Sequence, residues 1–193
     1  MPPVSSDPAR LREEAAPPPG ALRPVLGALA RLNGVLAVAC LWLAAFGIVA
    51  MTVVVGWQVF GRYVLNDTPT WAEPLTLQLM GWFIILGSAV GVREAFHLGL
   101  DLVQHVVPPV VAKVMDGISY VLIAAFGLAM TWYSWELAEG TWAATLPVLG
   151  IPGGWDFMPQ VVGGVLLFLF ALERLLGLVA GVEHEGVALQ ELA

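Results

Sequence analysis

The sequence predicts an all-α membrane protein: four transmembrane helices, both termini cytoplasmic, and a short amphipathic interfacial helix between helices 2 and 3. Three observations predict it. Hydrophobic residues make up 59% of the 193 residues and charged residues 12%, where a soluble domain carries roughly 25% charged residues. Four apolar stretches, at about 33–60, 75–92, 117–135 and 157–179, are each long enough to cross a bilayer. The basic residues are sorted by side: Arg10, Arg12, Arg23, Arg31, Arg93, Lys113 and Arg174 fall on one side and Arg62 alone on the other, which accounts for all 8. Basic residues beside spans mark the cytoplasmic face. The net charge of −7 says little about partners in such a chain, and nothing points to nucleic acid.

Residues 1–24, rich in Pro, Ala, Arg and Glu with Pro17-Pro18-Pro19-Gly20 in the middle, bury too little apolar surface to offset ordering entropy, and a disordered cytoplasmic tail is expected. The membrane domain is expected over 25–180. Its first span, Asn33 to Phe60, is about 42 Å long as a helix and has Cys40 as its one ionisable side chain. Ala37-Val38-Ala39-Cys40 loosely resembles a lipoprotein cleavage site. The cysteine stands near the start of the apolar stretch rather than after it, so no cleaved signal is expected. Cys40 reads as a small buried residue.

Gly61 to Pro74 is a polar link. Thr70-Trp71-Ala72-Glu73 fits a capping box opening the second helix. Pro74 at the first helical position is the other start. Arg62 and Glu73 can pair across the link, or Arg62 snorkels and Glu73 only caps. Trp57 and Tyr63 suit the interface. In the second span, Gly87-Ser88-Ala89-Val90-Gly91 has the spacing of a close helix contact.

Arg93 to Asp116 is the most polar internal segment. His97, Asp101 and His105 are four apart and share one helical side, which predicts a helix lying at the membrane surface. Two imidazoles and a carboxylate at that spacing suit zinc, but no convincing fourth ligand is near, and an interfacial helix needs a polar side in any case. Haem would need histidines on facing helices inside the bundle, and none is so placed. The third span follows, then Glu136, Glu139 and the interface residues Trp132, Trp135 and Trp142. A Pro/Gly-rich loop, Thr141 to Asp156, precedes the fourth span, and residues 181–193 form a short acidic tail. Ala44-Ala45-Phe46-Gly47 recurs as Ala124-Ala125-Phe126-Gly127, in spans of the same direction, so a parallel duplication is one reading.

Mid-membrane charges mark proton relays and ion paths, and transporters bind substrate at paired broken helices. These spans show neither. No nucleophile triad, phosphate loop or nucleotide fingerprint is visible, so the chain reads as a non-enzymatic membrane scaffold with no cofactor. An unrelated four-helix scaffold and a small membrane redox or enzyme subunit are the competing readings.

Arg62-Tyr63, Asn66 and Trp71-Ala72-Glu73, then His97-Leu98-Gly99-Leu100-Asp101, then Gly150-Ile151-Pro152 and Pro159, in this order, resemble the small membrane subunit of tripartite ATP-independent periplasmic (TRAP) transporters, the DctQ type. The resemblance covers roughly Asn33 to Val179. One departure is Pro74, where the family usually has a second acid, and any role needing two carboxylates there is put in doubt. The resemblance implies a bacterial inner membrane location and two partners besides the lipid bilayer: a large permease subunit and a periplasmic solute-binding protein. It further implies sodium-coupled import of an organic acid, with this subunit a brace that carries no substrate site. Arg62, Tyr63, Asn66, Trp71, Glu73, His97 and Asp101 become assembly or docking candidates.

Overall fold

The computed structural model describes residues 23–94, 109–146 and 148–180. Four helices there are long and apolar enough to cross a membrane: α1 (Arg23–Phe60), α2 (Ala72–Arg93), α3 (Pro109–Thr141) and α4 (Met158–Ala180). The count agrees with the hydropathy pattern, and the fourth start agrees to within a residue, but the first three helices start earlier than the apolar runs. The α1 helix begins ten residues before Asn33, because a helix leaving the membrane tolerates Arg31 and is favoured by the flanking Leu and Ala. Pro24 falls in its first turn, where a missing amide costs no intrahelical bond. The rest of the expected N-terminal tail, residues 181–193, and most of the expected amphipathic helix with His97, Asp101 and His105 lie outside the described residues. The last part of that segment, from Pro109 onward, is instead the opening of α3, with proline at the first helical position. At its far end α3 runs on past Trp135 to Thr141.

The opening of α2 corrects both expected starts. The helix begins at Ala72, Trp71 is already in the right-handed helical region, and no side chain caps the end. The Ala72 amide donates to the Pro69 carbonyl at 3.2 Å, and the Leu75 amide to Trp71 at 3.2 Å. With the chain already turning at Trp71, the Thr70 hydroxyl does not act as the cap, and Pro74 sits within the first turn at no cost in hydrogen bonds.

The helices are not arranged as a symmetric bundle. The α4 helix is central: it packs most closely on α3, then on α2, and touches α1 little, while α1 packs chiefly on α2. The core joins Ala37, Cys40 and Ala44 of α1 to Leu86, Ala89 and Val90 of α2 and to Leu166, Leu167 and Phe170 of α4. Much of α1 and α3 is left as exposed apolar side chains, such as Trp42, Phe46, Val53, Phe126 and Trp132, the surface expected of a protein solvated by lipid. Span hydroxyls satisfy themselves: Thr52, Ser88 and Thr131 donate to Ile48, Ile84 and Gly127 carbonyls at 2.8–2.9 Å, as hydrocarbon surroundings require.

Several glycines mark close helix approaches, among them the two of the recurrent Ala-Ala-Phe-Gly segments. A methyl on Gly127 would lie 2.8 Å from the Gly164 carbonyl, and one on Gly164 2.6 Å from the Gly127 carbonyl, so α3 and α4 meet backbone to backbone. A methyl on Gly47 would lie 3.2 Å from Cβ of Phe83, where α1 crosses α2. The recurrent Ala-Ala-Phe-Gly glycines thus both sit where a helix crosses its successor. Gly87 and Gly91, by contrast, would meet nothing within 4 Å if given a methyl. Those two glycines are therefore not where α2 packs closely; its buried side is Leu86, Ala89, Val90 and Arg93.

Candidate functional site

Polar groups gather at the two ends of the apolar bundle. At the end carrying the α1–α2 link, α1 continues as one π-helical stretch, Gly61–Leu65, closed by Asn66 in the left-handed region at φ 55°. The Asn66 and Asp67 amides both donate to the Gly61 carbonyl, the latter at 3.0 Å. This widened turn folds the link back on α1, so that Gly61 is buried beneath it. A methyl on Gly61 would lie 2.8 Å from the Asp67 carbonyl oxygen and 3.0 Å from Pro69 Cδ. Gly61→Ala is expected to cost about 1–3 kcal/mol, the usual penalty of overpacking. Gly56→Ala, with nothing within 4 Å, is expected to cost nothing. Unfolding midpoints of the two variants in detergent check this.

The link presents Arg62, Tyr63, Asn66, Trp71 and Glu73 together as exposed side chains, with Tyr63 at 78% and Trp71 at 41% of full exposure. Of the two readings of Arg62 and Glu73, the ion pair does not form; ion pairs are seen where Arg93 meets Glu94 and Glu173. With both side chains in solvent, an ion pair would gain roughly 0–1 kcal/mol, too little to order two long side chains. Beside the link, Gln78 of α2 donates to the Trp155 carbonyl at 2.8 Å, which ties α2 to the 3-10 turn Gly153–Phe157 that leads into α4. That turn is held by a small hairpin in which Leu146 N–H donates to Ile151 at 2.9 Å and Gly153 N–H to Ala144 at 2.6 Å.

The opposite end, which carries both the start of α1 and the end of α4, contains a buried polar layer that sequence reasoning missed. Asn33, Arg93 and Glu173 are 0%, 6% and 3% exposed, and they come from α1, α2 and α4. Asn33 Nδ2 donates to Glu173 Oε2 at 2.7 Å and to the Leu169 carbonyl at 3.3 Å. Arg93 Nη1 reaches Glu94 Oε1 at 3.2 Å, and its Nε lies 3.6 Å from Glu173 Oε2, an ion pair longer than a hydrogen bond. Arg174 donates through Nε at 2.7 Å, and also through Nη2, to the carbonyl of Arg93. Two adjacent α4 residues therefore hold the end of α2, one by its side chain and one by its main chain. The guanidinium at that carbonyl also complements the negative end of the α2 dipole. Glu173 stands seven residues inside the end of α4, too deep for an ordinary terminal charge. That depth was the available signal, although its partners lie 80 and 140 residues away in the chain.

Between these two ends the helices carry no Asp, Glu, Lys, Arg or His. The arrangement can join helices to each other at one end and present an exposed polar surface at the other. It supplies no charged lining at mid-depth.

Residues 51–181 match the family described as "Tripartite ATP-independent periplasmic transporters, DctQ component". The chain is similar to a C4-dicarboxylate TRAP transporter small permease protein of Vibrio cholerae, at 28% identity over 54% of this chain and 47% of that protein. It is similar to a sialic acid TRAP transporter small permease protein of the same organism, at 24% identity over 67% of this chain and 75% of the relative. A C4-dicarboxylate small permease protein of Pseudomonas aeruginosa matches at 32% identity over 47% of this chain and 41% of the relative. The match thus spans less than half the length of the two C4-dicarboxylate relatives.

Proposed function

The chain belongs to the DctQ family of TRAP transporter small permeases, and on that premise we propose that it braces a large permease subunit in the bacterial inner membrane. In this reading the small subunit binds no solute, and a periplasmic binding protein hands an organic acid to a sodium-coupled partner. The observation that carries it is the uncharged middle of all four spans: an organic anion crossing the bilayer needs charged or polar partners along its path, and these helices offer them only at their ends. An acid as the solute is supported by the relatives, named for C4-dicarboxylates and for sialic acid. The sorting of basic residues supports cytoplasmic termini and a periplasmic α1–α2 link.

The link residues Arg62, Tyr63, Asn66, Trp71 and Glu73 are then assembly or docking contacts, and His97 and Asp101 serve the same purpose on the cytoplasmic side. Uptake in proteoliposomes, with and without the co-encoded large permease and with the binding protein present, tests the proposal. Uptake is expected only when both membrane subunits are present, and solute import by this chain alone would refute the bracing role. Trp71→Ala is expected to change the stability of the isolated chain by less than about 0.5 kcal/mol, as exposed positions do. It should lower recovery of the co-expressed permease in pull-down several-fold. Full recovery would remove Trp71 from the interface.

A further inference from the structure

The α1 helix is held by unequal fastenings at its two ends. At the link, the Asn66 and Asp67 amides bond back to Gly61 and the chain passes directly into α2. Along its length, α1 turns Gly34, Ala37, Cys40, Ala44 and Gly47, all small and spaced three or four apart, toward the core and α2. In lipid such a seam gains dispersion and little else, since burial from hydrocarbon has no hydrophobic driving force. A smooth seam lets one helix pivot on another. The α1 helix also touches α4 little, and the Asn33 amide joins the two, given to Glu173 Oε2 and the Leu169 carbonyl. That side chain is fully buried, and its acceptor carboxylate is kept in place by Arg93.

We infer that Asn33 is the positioning residue that pins the terminus-bearing end of α1 to α4, while the link acts as the fixed end about which α1 would otherwise swing. A single buried asparagine setting the placement of an apolar helix has precedent in coiled coils. Because α1 is one edge of the helix array, its angle fixes the surface that the array offers to a neighbour.

The test uses the full chain in lipid nanodiscs, in a Cys40→Ala background, with paired spin labels. One pair, at Ala28 and Val179, reports the terminus-bearing end; the other, at Val53 and Val162, reports the opposite half. All four positions are exposed. In Asn33→Leu the distance distribution of the first pair is expected to broaden. The population with α1 against α4 should fall roughly three- to tenfold relative to swung states, the range of interhelical hydrogen bonds in membranes. The second pair should stay as narrow as in the parent, and Asn33→Gln should restore most of the loss at the first. An unchanged first pair, or equal broadening of both, would overturn the inference, since the latter is general loosening rather than release of one end. Should the leucine variant not accumulate, Asn33→Ala, which adds no bulk against Leu169, is expected to give the same one-ended broadening, and failure to do so is equally decisive.

Discussion

Arg93→Met is expected to destabilise the chain by about 3–5 kcal/mol, more than any other single charge removal in the described residues. The reason is its position between two carboxylates. Glu94 and Glu173 are each 4% exposed at the side chain, and without the guanidinium both remain buried and unpaired against one another. Glu173→Gln is expected to cost far less, about 1–2 kcal/mol, because the Gln side-chain oxygen still accepts from Asn33 and Arg93 keeps Glu94. Combining Arg93→Met with Glu94→Gln and Glu173→Gln should recover most of the loss, since a buried ion cluster contributes little net stability over neutral groups of similar shape. Unfolding midpoints in a denaturing detergent series distinguish the cases. Equal losses for the two single variants would show that the cluster is solvated and the burial argument wrong.

Substitution at the α3–α4 crossing should rank second. Gly127→Ala and Gly164→Ala each place a methyl within 3 Å of the opposing helix's backbone, which cannot rotate aside as a side chain could. Each is expected to cost about 1–3 kcal/mol, and valine more. Gly87→Ala and Gly91→Ala meet open space and should be neutral or gain up to about 1 kcal/mol of helix propensity. Thermal aggregation of the purified chain measures both pairs. A tolerated Gly164→Val would mean that the helices cross elsewhere.

The parts of this architecture that were legible are those with a local cause. Spans are long apolar runs, so their number and order could be read from composition along the chain. Helix ends were less legible, because hydropathy reports where lipid stops and helices continue into water, as α1 does through Arg31 and α3 does from Pro109. The opening of α2 was misassigned because Thr70 and Glu73 satisfy a capping pattern by spacing, while the Pro69 carbonyl had already started the turn. The polar layer was illegible for a different reason. Asn33 reads as the polar start of a span, and Arg93 and Arg174 as topology signals. Only the packing of α1 and α2 on α4 brings them to Glu173. Conversely, Arg62 and Glu73 are close in sequence and look like a pair, yet both point to solvent and remain separate.

The shortness of α2 has a consequence for the bilayer itself. At 22 residues it measures about 33 Å, little more than the roughly 30 Å hydrocarbon thickness, whereas α1 and α3 have length to spare and can lean. A membrane with longer acyl tails would therefore submerge the end of α2 first, drawing Arg93 and its carboxylates below the headgroups. Because neighbouring helices already enclose those charges, thickening changes their surroundings little. In bilayers of longer-chain lipids, Arg93→Met, which leaves the carboxylates unpaired, is expected to cost more than in short-chain ones, as unfolding midpoints in the two would show.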